Sequence, residues 1–130
     1  MKILRDKIPK ATRPLEFVSF FTMKLKTKEG PAYSYFAVDD FTEFAFNTGI
    51  EIDENPETIL KHIYLLMEDK DFVKHIDKGF TLVLADYQDL SDRINAIISS
   101  VNGKLIYDRE FNQRINLPVI QSFGEFLRMW

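Results

Sequence analysis

Cysteine is absent from the 130-residue sequence, and so is any long uninterrupted apolar run. The first absence excludes disulfides, thiolate metal sites and a cysteine nucleophile, and it is compatible with a cytoplasmic protein. The second argues against a transmembrane helix, which needs about 20 consecutive apolar residues. No long apolar segment follows the N-terminal charges, so we also expect no secretory signal. These absences favour a cytoplasmic protein without membrane contact.

Negative charge slightly exceeds positive charge overall, but the start of the chain is basic. The net charge is −3 and the sequence pI is about 5.4, which weighs against strong nucleic-acid binding, because such domains are usually basic. The first 13 residues nevertheless carry five basic side chains against Asp6 alone: Lys2, Arg5, Lys7, Lys10 and Arg13. We interpret residues 1–14 as a basic arm, with contact to a nucleic-acid backbone as one use for it.

Histidine is also rare. His62 and His75 lie 13 residues apart, without the close spacing or the cysteines that a zinc site requires. We expect both side chains on the surface or half-buried on helices.

The sequence is rich in aromatic residues, with 12 Phe and 5 Tyr in a chain that is 45% apolar. Its length suits one domain, which we place at residues 15–130. Residues 16–28, 33–39 and 41–49 alternate in hydropathy, as strands do. Short turns join them, one of them at Asp39-Asp40. The three segments therefore predict an antiparallel meander.

Helical and strand patterns alternate after the meander. Asn55-Pro56 starts a helix, and residues 80–85 form an apolar strand that we expect to be buried on both faces. A second helix follows and ends at Asn102-Gly103, and residues 104–107 form a fifth strand. We expect residues 108–117 to be irregular and Pro118 to open the last helix. The order β-β-β-α-β-α-β-α predicts an α/β fold with a five-stranded mixed sheet flanked by helices.

Four stretches carry a further pattern: residues 13–18 (RPLEFV), 35–42 (YFAVDDFT), 80–86 (FTLVLAD) and 120–128 (IQSFGEFLR). In order and spacing they resemble the lead-in, second strand, fourth strand and last helix of the ribonuclease H-like integrase core. This family contains the transposases of insertion sequences and the retroviral integrases. The resemblance extends over residues 13–130 and implies the same fold. It also implies a tendency to form homodimers.

The resemblance further implies three carboxylates that hold two Mg²⁺ ions for phosphodiester chemistry. Counting from the lead-in places Phe21 at the first acid, Asp86 at the second and Gln121 at the third. Glu125, one helical turn later, is an alternative third acid. Because two of the three carboxylates are replaced, we expect no metal site and no cofactor, with Mg²⁺ needed only if activity is retained. Phe20 and Phe21 are expected to fill the space that the metals would occupy.

Three functions follow from these observations. The first is a non-catalytic integrase-core-like domain, derived from a mobile element, that associates with itself or with another protein. The second is a nucleic-acid-binding regulator or remnant that uses the basic arm. The third is a metal-dependent nuclease or transposase with displaced ligands. Salt-dependent DNA binding separates the second from the first, and metal titration tests the third.

Overall fold

The computed structural model describes the backbone of residues 10–128 and the side chains of residues 10–122. Within this range the chain forms one sheet in the order β3-β2-β1-β4-β5. Its strands are β1 Phe17–Thr27, β2 Gly30–Asp39, β3 Ala45–Glu51, β4 Phe80–Leu84 and β5 Gly103–Tyr107. The first three strands pair antiparallel, whereas β4 runs parallel to both β1 and β5. The predicted five-stranded mixed sheet is confirmed.

Helices lie on both faces of this sheet: α1 Pro56–Glu68, α2 Lys70–Val73, α3 Ser91–Ile98 and α4 Arg109–Arg128. The start of α1 is as predicted, because the Asn55 side chain accepts a hydrogen bond from the Thr58 N–H at 2.9 Å. Asn102 adopts a left-handed φ of 61° directly before β5, as the Asn-Gly pair predicts. Among residues 10–128, no helix is long and apolar enough to cross a membrane.

The larger core lies on the sheet face that α1 and α3 cover. Val18, Phe20 and Tyr35 contribute from the sheet, and solvent hardly reaches them. The helices add apolar residues at intervals of three and four positions: Ile59, Leu60, Ile63, Leu66, Ile94 and Ile98. Full burial of one such side chain stabilises a fold by about 1.5–3 kcal/mol. This face therefore supplies most of the apolar stabilisation.

The opposite face carries a smaller core under α4. Phe111 and Ile115 of the helix pack with Val38 and Val83 of the sheet. The Phe111 ring centroid lies 5.2 Å from that of Phe17. Because this apolar cluster is small, the polar contacts of α4 with the sheet matter for its position.

The last helix begins nine residues earlier than the sequence predicts, at Arg109 instead of Pro118. Asp108 caps it, since its Oδ1 accepts a hydrogen bond from the Phe111 N–H at 3.0 Å. Pro118 lies inside the helix, where it removes one backbone hydrogen bond but does not end the helix. The expected irregular segment at residues 108–117 was therefore wrong: its polar residues face both the solvent and the sheet.

Asp39 organises the turn between β2 and β3 together with the entry into β1. Its buried carboxylate accepts hydrogen bonds from the backbone N–H groups of Leu15 (2.9 Å), Phe41 (3.1 Å) and Thr42 (3.2 Å). The Thr42 hydroxyl donates a fourth at 2.7 Å. An ionised carboxylate accepts several hydrogen bonds at once, so this side chain fixes two chain segments. The predicted turn at this position is confirmed.

His62 is buried, contrary to the expectation of a surface or half-buried side chain. Only 1% of it is exposed, and its ring stacks on Tyr35 with centroids 4.1 Å apart. Its Nδ1 lies 2.7 Å from the Thr48 hydroxyl, and its Nε2 lies 2.7 Å from the Glu51 carboxylate. A Cβ on Gly49, where φ is +140°, would approach the ring to 3.1 Å. The missing side chain at Gly49 thus leaves room for a histidine that links α1 to β3.

Candidate functional site at the end of β4

Asp86 lies two residues after the end of β4, at the point where the carboxyl ends of β4 and β5 meet the start of α4. Its Oδ1 accepts a hydrogen bond from Arg109 Nη2 at 3.0 Å, and the same nitrogen lies 3.4 Å from the Ala85 carbonyl oxygen. Both charged side chains are 61% exposed. The carboxylate is accessible to solvent, but a fixed cation already lies beside it.

Phe21 lies on β1, the strand that pairs with β4, and it is on the sheet face that α4 covers. The side chain is half-buried, and its ring stacks on Phe36 with centroids 5.4 Å apart. Phe20 points to the other face, where only 2% of it is exposed and its ring lies 6.1 Å from that of Tyr35. Both rings are core residues, and neither offers an oxygen atom to a metal.

Asn112 of α4 forms hydrogen bonds with β1 and β4 near this site. Its buried Nδ2 donates to the carbonyl oxygens of Phe20 at 3.2 Å and Val83 at 2.9 Å. Its Oδ1 accepts from Asn116 Nδ2 at 2.9 Å, and the Ser19 hydroxyl donates to Asn116 Oδ1. This chain of amides joins α4 to β1 and β4. It was missed from the sequence, although the two asparagines lie four residues apart, next to Phe111 and Ile115.

Gln121 does not converge with Asp86, as the expected third metal-ligand position would require. It is exposed and lies 12 residues after Arg109 in the same helix, which is about 18 Å along the axis. The position was counted from the spacing of the resembled family, whereas in the structure the helix starts at Arg109, and its first turn lies beside Asp86. Glu125 lies further along the helix, and its side chain is outside the described residues.

Glu54 is a second acidic residue at this end of the sheet, and sequence reasoning missed it. Its side chain is exposed, yet partial desolvation raises the pKa of its carboxyl, the negative charge of Asp86 raises it further, and Lys24 opposes the shift. Tyr87 belongs to the same region: its hydroxyl lies 3.2 Å from that of Thr22, and burial raises the pKa of the phenol. The sequence pattern around Glu54 indicated only a helix start.

Two Mg²⁺ ions do not fit this donor set. Mg²⁺ demands oxygen ligands in tight octahedral geometry, and a two-metal site uses several carboxylates. Here Asp86 is paired with Arg109, Phe21 is apolar, and the amide of Asn112 is committed to other groups. Among the described side chains, no group of three or more His, Cys, Asp or Glu is arranged to hold a metal ion.

Arg13, the last basic residue of the predicted arm, lies at the other end of the parallel strands. Its Nη2 donates to the carbonyl oxygens of Lys78 at 3.4 Å and Gly79 at 3.1 Å, just before β4 begins. Lys10 is exposed. Lys2, Arg5 and Lys7 fall outside the described residues. The described part of the arm therefore does not reach Asp86.

The strand order and the helices on both faces define the ribonuclease H-like fold of integrase catalytic cores. The HTLV-2 integrase catalytic core domain, solved in complex with magnesium in a dimeric form, is similar with a TM-score of 0.62. It is 12% identical, over 89% of this chain and 74% of the other.

A simian T-cell lymphotropic virus intasome, solved in complex with the PP2A regulatory subunit B56 gamma, is also similar. It has a TM-score of 0.66 and 11% identity, over 90% of this chain and 40% of the other. The present chain thus spans less than half the length of that integrase chain. No family model and no curated protein matches the sequence. At these identities the likeness shows the fold alone.

Proposed function

We propose that this chain is a non-catalytic integrase-core-like domain, derived from a mobile element, that acts by associating with a second copy of itself. The observation that supports the loss of catalysis is the set of side chains around Asp86. Phe21 is apolar at the position where the integrase resemblance expects a metal-binding carboxylate. Asn112, the nearby residue of α4, has a neutral amide that is already hydrogen-bonded to the sheet. Asp86 is paired with Arg109, and among the described side chains Asp86 and the nearby Glu54 are not joined by a third acid in an arrangement that could hold a metal pair.

A cleavage assay tests the loss of catalysis. Purified protein is incubated with duplex DNA and Mg²⁺ or Mn²⁺, beside the variant Asp86→Ala and a control, Asp89→Ala, which removes another exposed carboxylate after β4. We expect no nicking or strand transfer by any of the three. Metal-dependent activity that Asp86→Ala abolishes and Asp89→Ala retains would overturn the proposal.

The proposed association rests on the edge of the sheet formed by β3. Within the described residues β3 pairs only with β2, so its outer side presents backbone N–H and C=O groups to a further strand. Large apolar side chains are exposed in β3 and in the residues that flank it: Ile50 (61%) in the strand, Phe41 (50%) and Phe44 (57%) before it, and Ile52 (85%) after it. Exposed apolar patches of this kind mark interaction sites.

A second copy is the favoured partner because a strand edge can complement itself. Two antiparallel β3 strands satisfy each other's outer backbone groups, and Glu51 is the only charged residue within β3. The edge strand β5 instead carries the exposed Lys104, and lysine on an edge discourages pairing. The association is therefore assigned to β3 and not to β5.

The mass of the protein in solution tests this assignment. We expect a dimer by sedimentation equilibrium, and a monomer for Ile50→Lys. The matched control is Ile106→Lys, which places the same charge on an exposed isoleucine of β5 and should leave the dimer intact. A wild-type protein that is still monomeric at about 0.1 mM, where a dimer with a micromolar Kd would be almost fully formed, would contradict self-association.

A further inference from the structure

A cleft opens at the amino ends of β4 and β5, whereas Asp86 lies beyond the carboxyl end of β4. The cleft has a volume of about 440 Å³, and its charged lining residues are Arg13, Glu16, Lys78 and Lys104. The five residues of β4 separate it from Asp86, a distance of about 17 Å or more at the rise of a strand. The cleft is therefore distinct from the candidate site described above.

The charge of this cleft runs against that of the whole chain. Three basic side chains and one acidic side chain give it a net charge of +2, whereas the chain carries −3. The Glu16 carboxylate is occupied, because it accepts hydrogen bonds from Thr12 N–H at 2.6 Å and from the Thr12 hydroxyl at 3.0 Å. These contacts, the backbone one above all, lower the pKa of Glu16. Glu16 therefore stays ionised and opposes an anion, but the three cations outnumber it.

Arg13 is held in place in a way that suits recognition of an anion. It is half-buried, and both of its backbone contacts use the same terminal nitrogen, Nη2. A guanidinium carries five N–H donors in a rigid fork that matches the oxygens of phosphate. Lys78 and Lys104 are exposed at the rim and add point charges with mobile stems.

The backbone donors at this end of β4 are already engaged, so side chains must recognise any ligand. Phe80 N–H donates to the Asn102 carbonyl oxygen, and Thr81 N–H donates to that of Glu16. The side chains of Thr81 and Asn102 also line the cleft and offer neutral hydrogen bonds. The cleft has the size of a small-molecule site, and its charge favours an anion with more than one negative charge.

We propose that this cleft binds a small polyvalent phosphate, with Arg13 as the anchor and the Lys78 and Lys104 ammonium groups as the surrounding cations. The inference rests on the lining of the cleft and uses no residue of the Asp86 site or of β3. It therefore stands or fails independently of the proposed loss of catalysis and of dimer formation.

Calorimetric titration of the full chain with sodium triphosphate, at low salt of about 50 mM, tests the proposal. We expect saturable binding that Lys78→Ala combined with Lys104→Ala weakens about tenfold or more, because two charge-assisted contacts are lost. The matched control is Lys26→Ala combined with Lys28→Ala, which removes the same charge from two exposed lysines near the turn between β1 and β2. This control should change the affinity by less than about twofold, which is the scale of a screened distant charge.

Three results would overturn the proposal. The first is no binding by the wild-type protein at millimolar triphosphate. The second is equal weakening in both double variants, which would indicate only a diffuse field. The third is a duplex DNA that binds the cleft lysines while triphosphate does not compete for it, which would make the cleft a nucleic-acid surface. Equal melting temperatures of the two double variants would show that loss of binding is not loss of folding.

Discussion

The two ends of the parallel strands differ in charge and in what their side chains are free to do. At the carboxyl ends, Asp86 is paired with Arg109 and Phe21 stacks on Phe36. At the amino ends, three cations line an open cleft and one acid is engaged by its own turn. Ligands of open α/β sheets bind outside the carboxyl ends of the strands. In this chain the acid at that end is paired with an arginine and remains exposed to solvent, while the opposite end has the unbalanced charge.

Under the proposed loss of catalysis, the sheet keeps its architecture while the side chains at one end differ from those that a metal site needs. Catalytic carboxylates destabilise a fold when they are crowded together, since like charges repel. Replacing one with an aromatic residue removes that repulsion and adds apolar burial. We therefore expect the side chains at the carboxyl ends of the strands to stabilise the fold. Four substitutions there test whether these side chains contribute to stability or to ligand binding.

Phe21→Asp should have the largest effect. It removes the stacking on Phe36 and places a charge in a half-buried apolar cluster, which we expect to cost about 3 kcal/mol of unfolding free energy. Urea denaturation measures this loss, and Phe21→Leu, which retains the apolar character, should cost about 1 kcal/mol. A neutral or stabilising Phe21→Asp in the presence of Mg²⁺ would show that this end still accepts a metal.

Asn112→Ala should come next, at about 2 kcal/mol. The Phe20 and Val83 carbonyl oxygens would lose their bonds to the side chain, and Asn116 would lose its acceptor; buried polar groups left unsatisfied cost about 1–3 kcal/mol. The control is Gln113→Ala, an exposed neighbour in the same helix, which should stay within about 0.5 kcal/mol. Similar losses for both variants would mean that the amide does not hold α4 on the sheet.

Arg109→Ala should cost less than about 1 kcal/mol, because exposed ion pairs contribute little to stability. The more informative measurement is a double-mutant cycle with Asp86→Ala in urea. A coupling free energy near zero would show that the pair occupies Asp86 without stabilising the fold. A coupling above about 2 kcal/mol would contradict the assignment of an exposed pair.

Glu54→Gln should have the smallest effect, and its dependence on pH is the test. Partial desolvation and the nearby charge of Asp86 raise the pKa of the exposed Glu54 in the folded state, so folding favours the protonated form and wild-type stability falls slightly as pH rises from the unfolded pKa through the folded one. The variant lacks this loss. We expect it to be more stable than the wild type at neutral pH and equal to it at low pH, where both are uncharged.

Thermal denaturation across pH 3 to 8, a range of roughly the width over which carboxyls titrate, checks the Glu54 prediction. The control Glu68→Gln replaces an exposed glutamate at the end of α1 and should not show the same gain. A Glu54→Gln variant that is less stable than the wild type at neutral pH would reverse the sign and contradict the desolvation argument.

The sheet was predictable because its signals are local. Alternation identified β1, the apolar run identified β4, and Asn55 and Asn102 marked helix ends with their own side chains and backbone angles. The position of Asp86 after β4 followed from the same run. Each of these features depends on residues close together in the sequence, where pattern and propensity agree.

The misses concern polar residues whose role depends on distant partners. Asn112 bonds to carbonyl oxygens 92 and 29 residues away, so its sequence neighbourhood reads as a loop. His62 is buried because Gly49, on another element, leaves room for it. Gln121 was placed by counting along the chain, and one early helix start displaced it from Asp86. Tertiary contacts decided the first two, and the start of a helix decided the third.

The amides of α4 also have a consequence for the order in which the protein folds. Asn112 donates to one carbonyl of β1 and one of β4, so both bonds form only when these strands already lie side by side. The antiparallel strands pair through short turns, whereas β1 and β4 are joined across more than fifty intervening residues. Closing that long loop is the slow step that local pairing cannot supply. We therefore expect α4 to dock only after β1 and β4 have paired. In a chain whose strands pair wrongly, Asn112 would lack both of its carbonyl acceptors.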